Sequence, residues 1–146
     1  AKITPAKMPD FTALYRAAEV IVKCEAAAMH RPWMESGAPL ANQVRTRAEA
    51  GFFIPATQYI DALRLRAHFV AEFLEIAMTG VDAVLLPAIP FPIPTLAETD
   101  VETSGGPATL KMVATFTGLT RQFNTLGVPA LSGPWGVDTT GAPSGP

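Results

Sequence analysis

Cysteine is nearly absent: Cys24 stands alone in 146 residues. An intrachain disulfide framework and a cysteine-rich zinc site are therefore excluded. Histidine is almost as scarce, with only His30 and His68. They fall on different predicted helices, and no HExxH or clustered His/Cys/carboxylate pattern occurs. No metal site and no cofactor is expected. Charge is also sparse. Charged residues make up 16% and the net charge is -2. Nucleic-acid binding draws on clustered Lys and Arg, so no nucleic-acid partner is expected. Long hydrophobic runs are missing too. The most apolar stretch, 81–93, contains three prolines and is too short and too broken to span a bilayer. The opening Ala1-Lys2-Ile3-Thr4-Pro5 lacks the apolar core of a secretion signal, so a cytoplasmic location is expected. No solenoid-length repeat recurs.

Apolar residues are plentiful at 49%, too many for an unfolded polymer. The length suits one domain. Residues 81–146 hold nine of the 14 prolines, whereas most of the charge lies before them. The first part reads as helices. The second reads as short buried strands, a proline-rich loop, one further helix and turns. Neither half has a complete set of elements for its own core. The chain starts at Ala1 and closes on Gly145-Pro146, and both ends read as cut or processed.

The first helix is predicted over about 11–30, with Asp10 as N-cap and Arg31-Pro32 as its end. Leu14, Ala18, Ile21 and Ala28 share one face at about 100° per residue. Glu25 projects into the middle of that apolar stripe. A buried lone carboxylate is costly, so a partner is expected, and Arg45 or Arg47 on the second helix (about 40–50) is the natural ion pair. The third helix, about 55–79, starts after a proline and ends near Gly80. Ile60, Leu63, Ala67, Val70, Leu74 and Ala77 line its expected core face. Leu65, Phe69 and Ile76 extend the apolar surface, so the helix should be buried on most sides.

Asp82 to Pro87 reads as a short strand covered on both faces, because polar alternation is lacking. Prolines at 87, 90, 92 and 94 then require a stiff extended loop. A surface loop is expected over 95–107 and a last helix over about 111–125, ending at Gly127. A strand is predicted over about 130–133. Asp138-Thr139-Thr140-Gly141 is a turn signal, after which the returning strand is expected to be missing.

Catalytic patterns are thin. None of Ser36, Ser104, Ser132 and Ser144 lies in a GxSxG elbow or an SxxK motif. Ser104-Gly105-Gly106 resembles a piece of a glycine-rich catalytic loop, but no strand precedes it. Cys24 lies near an apolar helix edge and reads as inert packing. His68, between Arg64 and Glu72, reads as a solvated helix-face residue. No nucleophile–base pair can be named, which disfavours a small independent hydrolase.

Two stretches carry a resemblance. Asp82-Ala83-Val84-Leu85-Leu86-Pro87-Ala88-Ile89-Pro90 resembles the amidase signature family. So does Phe116-Thr117-Gly118-Leu119-Thr120-Arg121-Gln122-Phe123-Asn124-Thr125-Leu126-Gly127-Val128-Pro129-Ala130-Leu131-Ser132. The segments from Glu25 to His30 and from Val44 to Arg47 are similar to it as well. The likeness covers nearly the whole chain, in order, and matches the C-terminal portion of that family. Departures are Gln122 for a frequent proline, Gly133 for a β-branched residue, Trp135 for a small one, and Ala142, Ser144 and Pro146 for apolar strand residues.

The resemblance implies an α/β fold: the helix-rich C-terminal part of the amidase signature fold, with a mixed β-sheet covered by helices and incomplete in this chain. It implies a hydrolase that cleaves amides through an acyl-enzyme, with a lysine, a bridging serine and a nucleophilic serine. Those residues belong to the N-terminal and central portion, so no catalytic residue is assigned here. Lys2, Lys7, Lys23 and Lys111 do not match the catalytic lysine's context. Carried over, the resemblance makes Ile89, Phe91, Phe116 and Thr117 candidates for the substrate-pocket wall. Core packing of the aromatics is the simpler alternative. The implied partners are the missing amidase portion and a small-molecule amide. The isolated chain is expected to be inactive and prone to self-association. The alternative from another class is a non-catalytic helical binding or assembly module on the same scaffold.

Overall fold

A computed structural model describes residues 2–100, 107–133, 136–137, 141 and 143–144. In chain order the described elements are α1 (Thr12–Glu35), α2 (Asn42–Gly51), α3 (Ala56–Ala77), α4 (Leu96–Thr99), α5 (Pro107–Phe116), α6 (Arg121–Leu126), β1 (Gly136–Val137) and β2 (Pro143–Ser144). The protein is helix-rich. Among the described residues its sheet is one two-stranded hairpin.

Helix α1 is the backbone of the fold. Asp10 accepts from the Thr12 amide at 2.9 Å and the Thr12 hydroxyl at 2.7 Å. Phe11, not Asp10, occupies the N-cap position. The helix does not stop at Pro32 as expected but runs to Glu35. Proline removes one ladder bond near the exposed end. The turn beyond it is held by Ala38 N donating to Trp33 O at 3.0 Å and by the Ser36 hydroxyl donating to the same carbonyl at 3.0 Å. Gly37, at φ +73°, then reverses the chain.

The start of α1 meets the end of α3. Phe11 lies against Phe69 and Phe73, while Glu25 further along reaches Tyr59 near the start of α3. The two helices are thus antiparallel. Helix α6 closes the cluster: Phe11, Leu14, Phe69, Phe73, Ala77, Phe123 and Leu126 form the core. Leu14 is wholly buried, which is worth about 2 kcal/mol in apolar burial. A second cluster joins Ala17 and Ile21 to Ala62.

The buried face of α3 is not the expected one. Ala62, Phe69, Phe73 and Ala77 are buried. Of the expected set, only Ala77 is. Leu63 and Val70 are half-buried, and Ile60, Ala67 and Leu74 are exposed. The helix has two apolar faces, and the face with the two phenylalanines buries more area against α1 and α6.

The expected helix over 111–125 is two helices, α5 and α6, separated by a turn at 117–120. Within it the Thr117 carbonyl accepts from Thr120 N at 3.2 Å and Arg121 N at 2.8 Å. Helix α6 ends at Gly127, φ +74°, whose amide bonds the Phe123 carbonyl at 2.9 Å.

Neither predicted strand forms. Residues 83–87 have no regular structure and no ladder partner among the described residues; Val84 and Leu86 pack against the core and Leu85 is exposed. Leu131 is 97% exposed. A strand is made by its neighbours, and the described residues supply none at either place. Conversely, the returning strand expected to be missing is present: Gly136 pairs with Ser144 and Val137 with Pro143, antiparallel. Proline is tolerated there because each strand is an edge. Ser104-Gly105-Gly106, Trp135, Asp138-Thr139-Thr140, Ala142 and Pro146 lie outside the described residues. The expected 95–107 loop contains α4, opened by a Thr95–Glu98 capping box.

Candidate functional site

The proline-rich segment and the end of α5 meet. The rings of Phe91 and Phe116 lie 5.2 Å apart, tilted by 42°. Both are half-buried. Thr117 follows, exposed, at the start of the turn, and Ile89, two residues before Phe91, is 39% exposed. Of the four sequence candidates, the structure therefore brings Phe91 and Phe116 into contact and places Thr117 beside them in the chain.

The turn that carries Thr117 is braced by residues the sequence reading left out. Arg121 donates through Nη2 to Thr117 Oγ1 at 2.9 Å and to the Ala114 carbonyl at 3.1 Å. Its Nε lies 3.3 Å from the same hydroxyl oxygen. The guanidinium carbon sits 6.0 Å from the centre of the Tyr15 ring, within cation–π range. The Tyr15 hydroxyl stands 3.2 Å from the Gly118 carbonyl and 3.0 Å from Gln122 Oε1, and it has one proton to share between them. Burial pushes the Tyr15 phenol above its ordinary value, against the pull of Arg121. Gln122 is 4% exposed, yet its amide donates to the Leu119 carbonyl at 2.6 Å. The buried amide at the family's frequent proline position is thus satisfied.

The expected ion pair does not form. Glu25 is exposed and accepts from the Tyr59 hydroxyl at 3.2 Å. Arg45 pairs instead with Glu49, one helical turn on, at 3.4 Å. Arg47 acts on Glu19, whose carboxyl is held below its usual range first by Lys23, 2.7 Å away, then by Arg121 and Arg47. The reason is rotational. Where α2 crosses α1 it meets Lys23 and Ala27, which leaves Glu25 at the α3 edge. Burial and the neighbouring Glu25 both raise the Tyr59 phenol.

Other candidates settle simply. Burial, then Glu25, pushes the Cys24 thiol up, which favours the thiol over the reactive thiolate. Lys23 is tied to Glu19. The Ser36 hydroxyl donates to the backbone. Among the described residues no His/Cys/carboxylate group of three could hold a metal. A shallow, open depression of about 380 Å³ lies at the α1–α2 end, lined by Arg31, Met34, Glu35, Glu49 and Phe52. It is separate from the Phe91–Phe116 contact. Among the described residues no helix is long and apolar enough to cross a membrane.

Comparison with known proteins places this helical scaffold in a family. The amidase family model matches residues 2–145. The chain belongs to the amidase family. It is also similar to a crystal structure of an amidase, with 33% identity and a TM-score of 0.80. That match covers 99% of this chain and 32% of the other, so the chain spans about a third of that amidase's length. No curated protein matches the sequence.

Proposed function

We propose that this chain is the C-terminal portion of an amide-bond hydrolase that works through an acyl-enzyme. In this reading the serine–serine–lysine machinery lies in the other two thirds, and the chain contributes scaffold and part of the substrate wall. The similarity that spans 99% of this chain but 32% of an amidase carries the reading. The chemistry of the described residues is consistent with it. Lys23 on α1 is held by Glu19 at 2.7 Å on the helix surface. The partner is the remaining amidase portion, the substrate is a small-molecule amide, and the setting is cytoplasmic.

The surface that this reading assigns to the missing portion is apolar. Ile60 and Leu74 on the outer face of α3 are 46% and 50% exposed. Leu85, in the 83–87 segment, is 62% exposed. Such residues cover more polypeptide or drive self-association. Phe91, Phe116, Thr117 and Ile89 are the proposed wall, and it suits a flat apolar acyl group.

Supplying the complementary amidase portion to this chain should yield ammonia release from small amides, and the chain alone should release none. Amide turnover by the purified chain alone would overturn the reading. The second reading, a non-catalytic assembly module, is favoured if complementation restores a stable complex with no turnover.

A further inference from the structure

We propose that Arg121 is a positioning residue: it fixes the end of α5, sets the Phe116 ring against Phe91, and so governs which acyl groups the wall accepts. This deepens the amidase reading and rests on it.

Phe116 is the last residue of α5. The last carbonyls of a helix have no partner within it. At this helix the partner is supplied from the next element, since Arg121 Nη2 donates to the Ala114 carbonyl at 3.1 Å. The same nitrogen holds the Thr117 hydroxyl oxygen at 2.9 Å. Arg121 thus grips the residues at 114 and 117, on either side of the ring-bearing position. A planar guanidinium suits two such bonds in fixed directions, which a lysine ammonium cannot reproduce.

The position is locally unfavourable. Arg121 is the first residue of α6, where a helix dipole disfavours a cation. Two features of α1 offset this. The guanidinium lies over the Tyr15 ring at the edge of cation–π range and shares the field of Glu19. Tyr15 in turn reaches the Gly118 carbonyl and Gln122. A residue that breaks a local preference and is held by three elements is the kind that sets a geometry. The contacts run from α1 through Arg121 to the residues at 114 and 117 that flank Phe116.

The test uses the intact enzyme that carries this chain. The ratio of kcat/KM for aromatic against aliphatic acyl amides is measured across a panel, in wild type, Arg121→Ala, Arg121→Lys, Thr117→Val and the Arg121→Ala/Thr117→Val double variant. Each of Arg121→Ala and Thr117→Val should lower the ratio about tenfold, chiefly through KM. Arg121→Lys should not restore it. The double variant should fall no further than Arg121→Ala, because that change already breaks the contact with Thr117. Unchanged ratios, equal losses on all amides, or losses that multiply in the double variant overturn the role of Arg121. Should Arg121→Ala fail to fold, Arg121→Lys decides by the same ratio, since it keeps the charge and loses the fixed pair of bonds. A wild-type enzyme that hydrolyses no amide overturns the amidase reading and this proposal together. One that hydrolyses both classes with unmoved ratios overturns Arg121 alone.

Discussion

Gly51 lies directly on the backbone of Lys23. A Cβ at that position would stand 2.6 Å from the Lys23 carbonyl carbon and 2.7 Å from the Ala27 Cβ, and would run into the carbonyl oxygen. The close approach lets α2 pack against α1 with a buried Ala48 beside it. Helix propensity alone would favour alanine over glycine by about 1 kcal/mol. The clash outweighs that. Gly51→Ala should lose about 2 kcal/mol of stability. Gly133→Ala, with nothing within 4 Å, should change little. Urea unfolding of both variants checks the contrast, and equal midpoints would remove the packing argument.

Tyr15→Phe keeps the ring and removes the hydroxyl that reaches Gly118 and Gln122. The cost should be about 1 kcal/mol. A melting temperature lower by about 4 °C follows for a chain of this size. An unchanged melting temperature would mean that the hydroxyl braces nothing.

Phe91→Ala and Phe116→Ala in the intact enzyme should each shift preference away from aromatic acyl groups, because each ring forms half of the 5.2 Å pair. Specificity constants that stay the same for both variants would return these rings to a packing role only.

Cys24 should resist modification. Its thiol is pushed up by burial and by Glu25, so less thiolate exists at neutral pH than for a free cysteine. Iodoacetamide labelling at pH 7.5, followed by mass spectrometry, should run several-fold slower than for glutathione. Equal rates would contradict the burial of the group.

Acid should weaken the protein gradually. The carboxyls of Asp10, Glu19 and Glu98 all sit below their ordinary values of 3.8, 4.5 and 4.5, held down respectively by Thr12, Lys23 and Thr95. A depressed carboxyl contributes stability above its unfolded value and loses it as pH falls through the lower folded one. The effect is small because these groups are largely exposed. Melting temperatures taken from pH 6 to pH 3 should begin to fall near pH 4.5. NMR titration should place each of the three below its ordinary value.

The sequence by itself determined that the first half is helical, because apolar spacing, Pro55 before α3 and Gly80 after it are local signals; Pro32, inside α1, did not mark an end. Gly80 and Gly127 sit at positive φ close to where the helices end. It also carried the family likeness, in short ordered motifs. The tertiary structure alone decided which face of α3 is buried, since two apolar faces compete and only the partner helices choose between them. It decided that Glu25 meets Tyr59 rather than an arginine, because helix rotation is fixed by the Gly51 crossing and not by the projection of one helix. It decided, too, that 82–87 is no strand: pairing depends on neighbouring chain, and local composition cannot supply a neighbour. The Arg121 brace was invisible for the same reason, as it joins Tyr15 to residues more than 100 positions away.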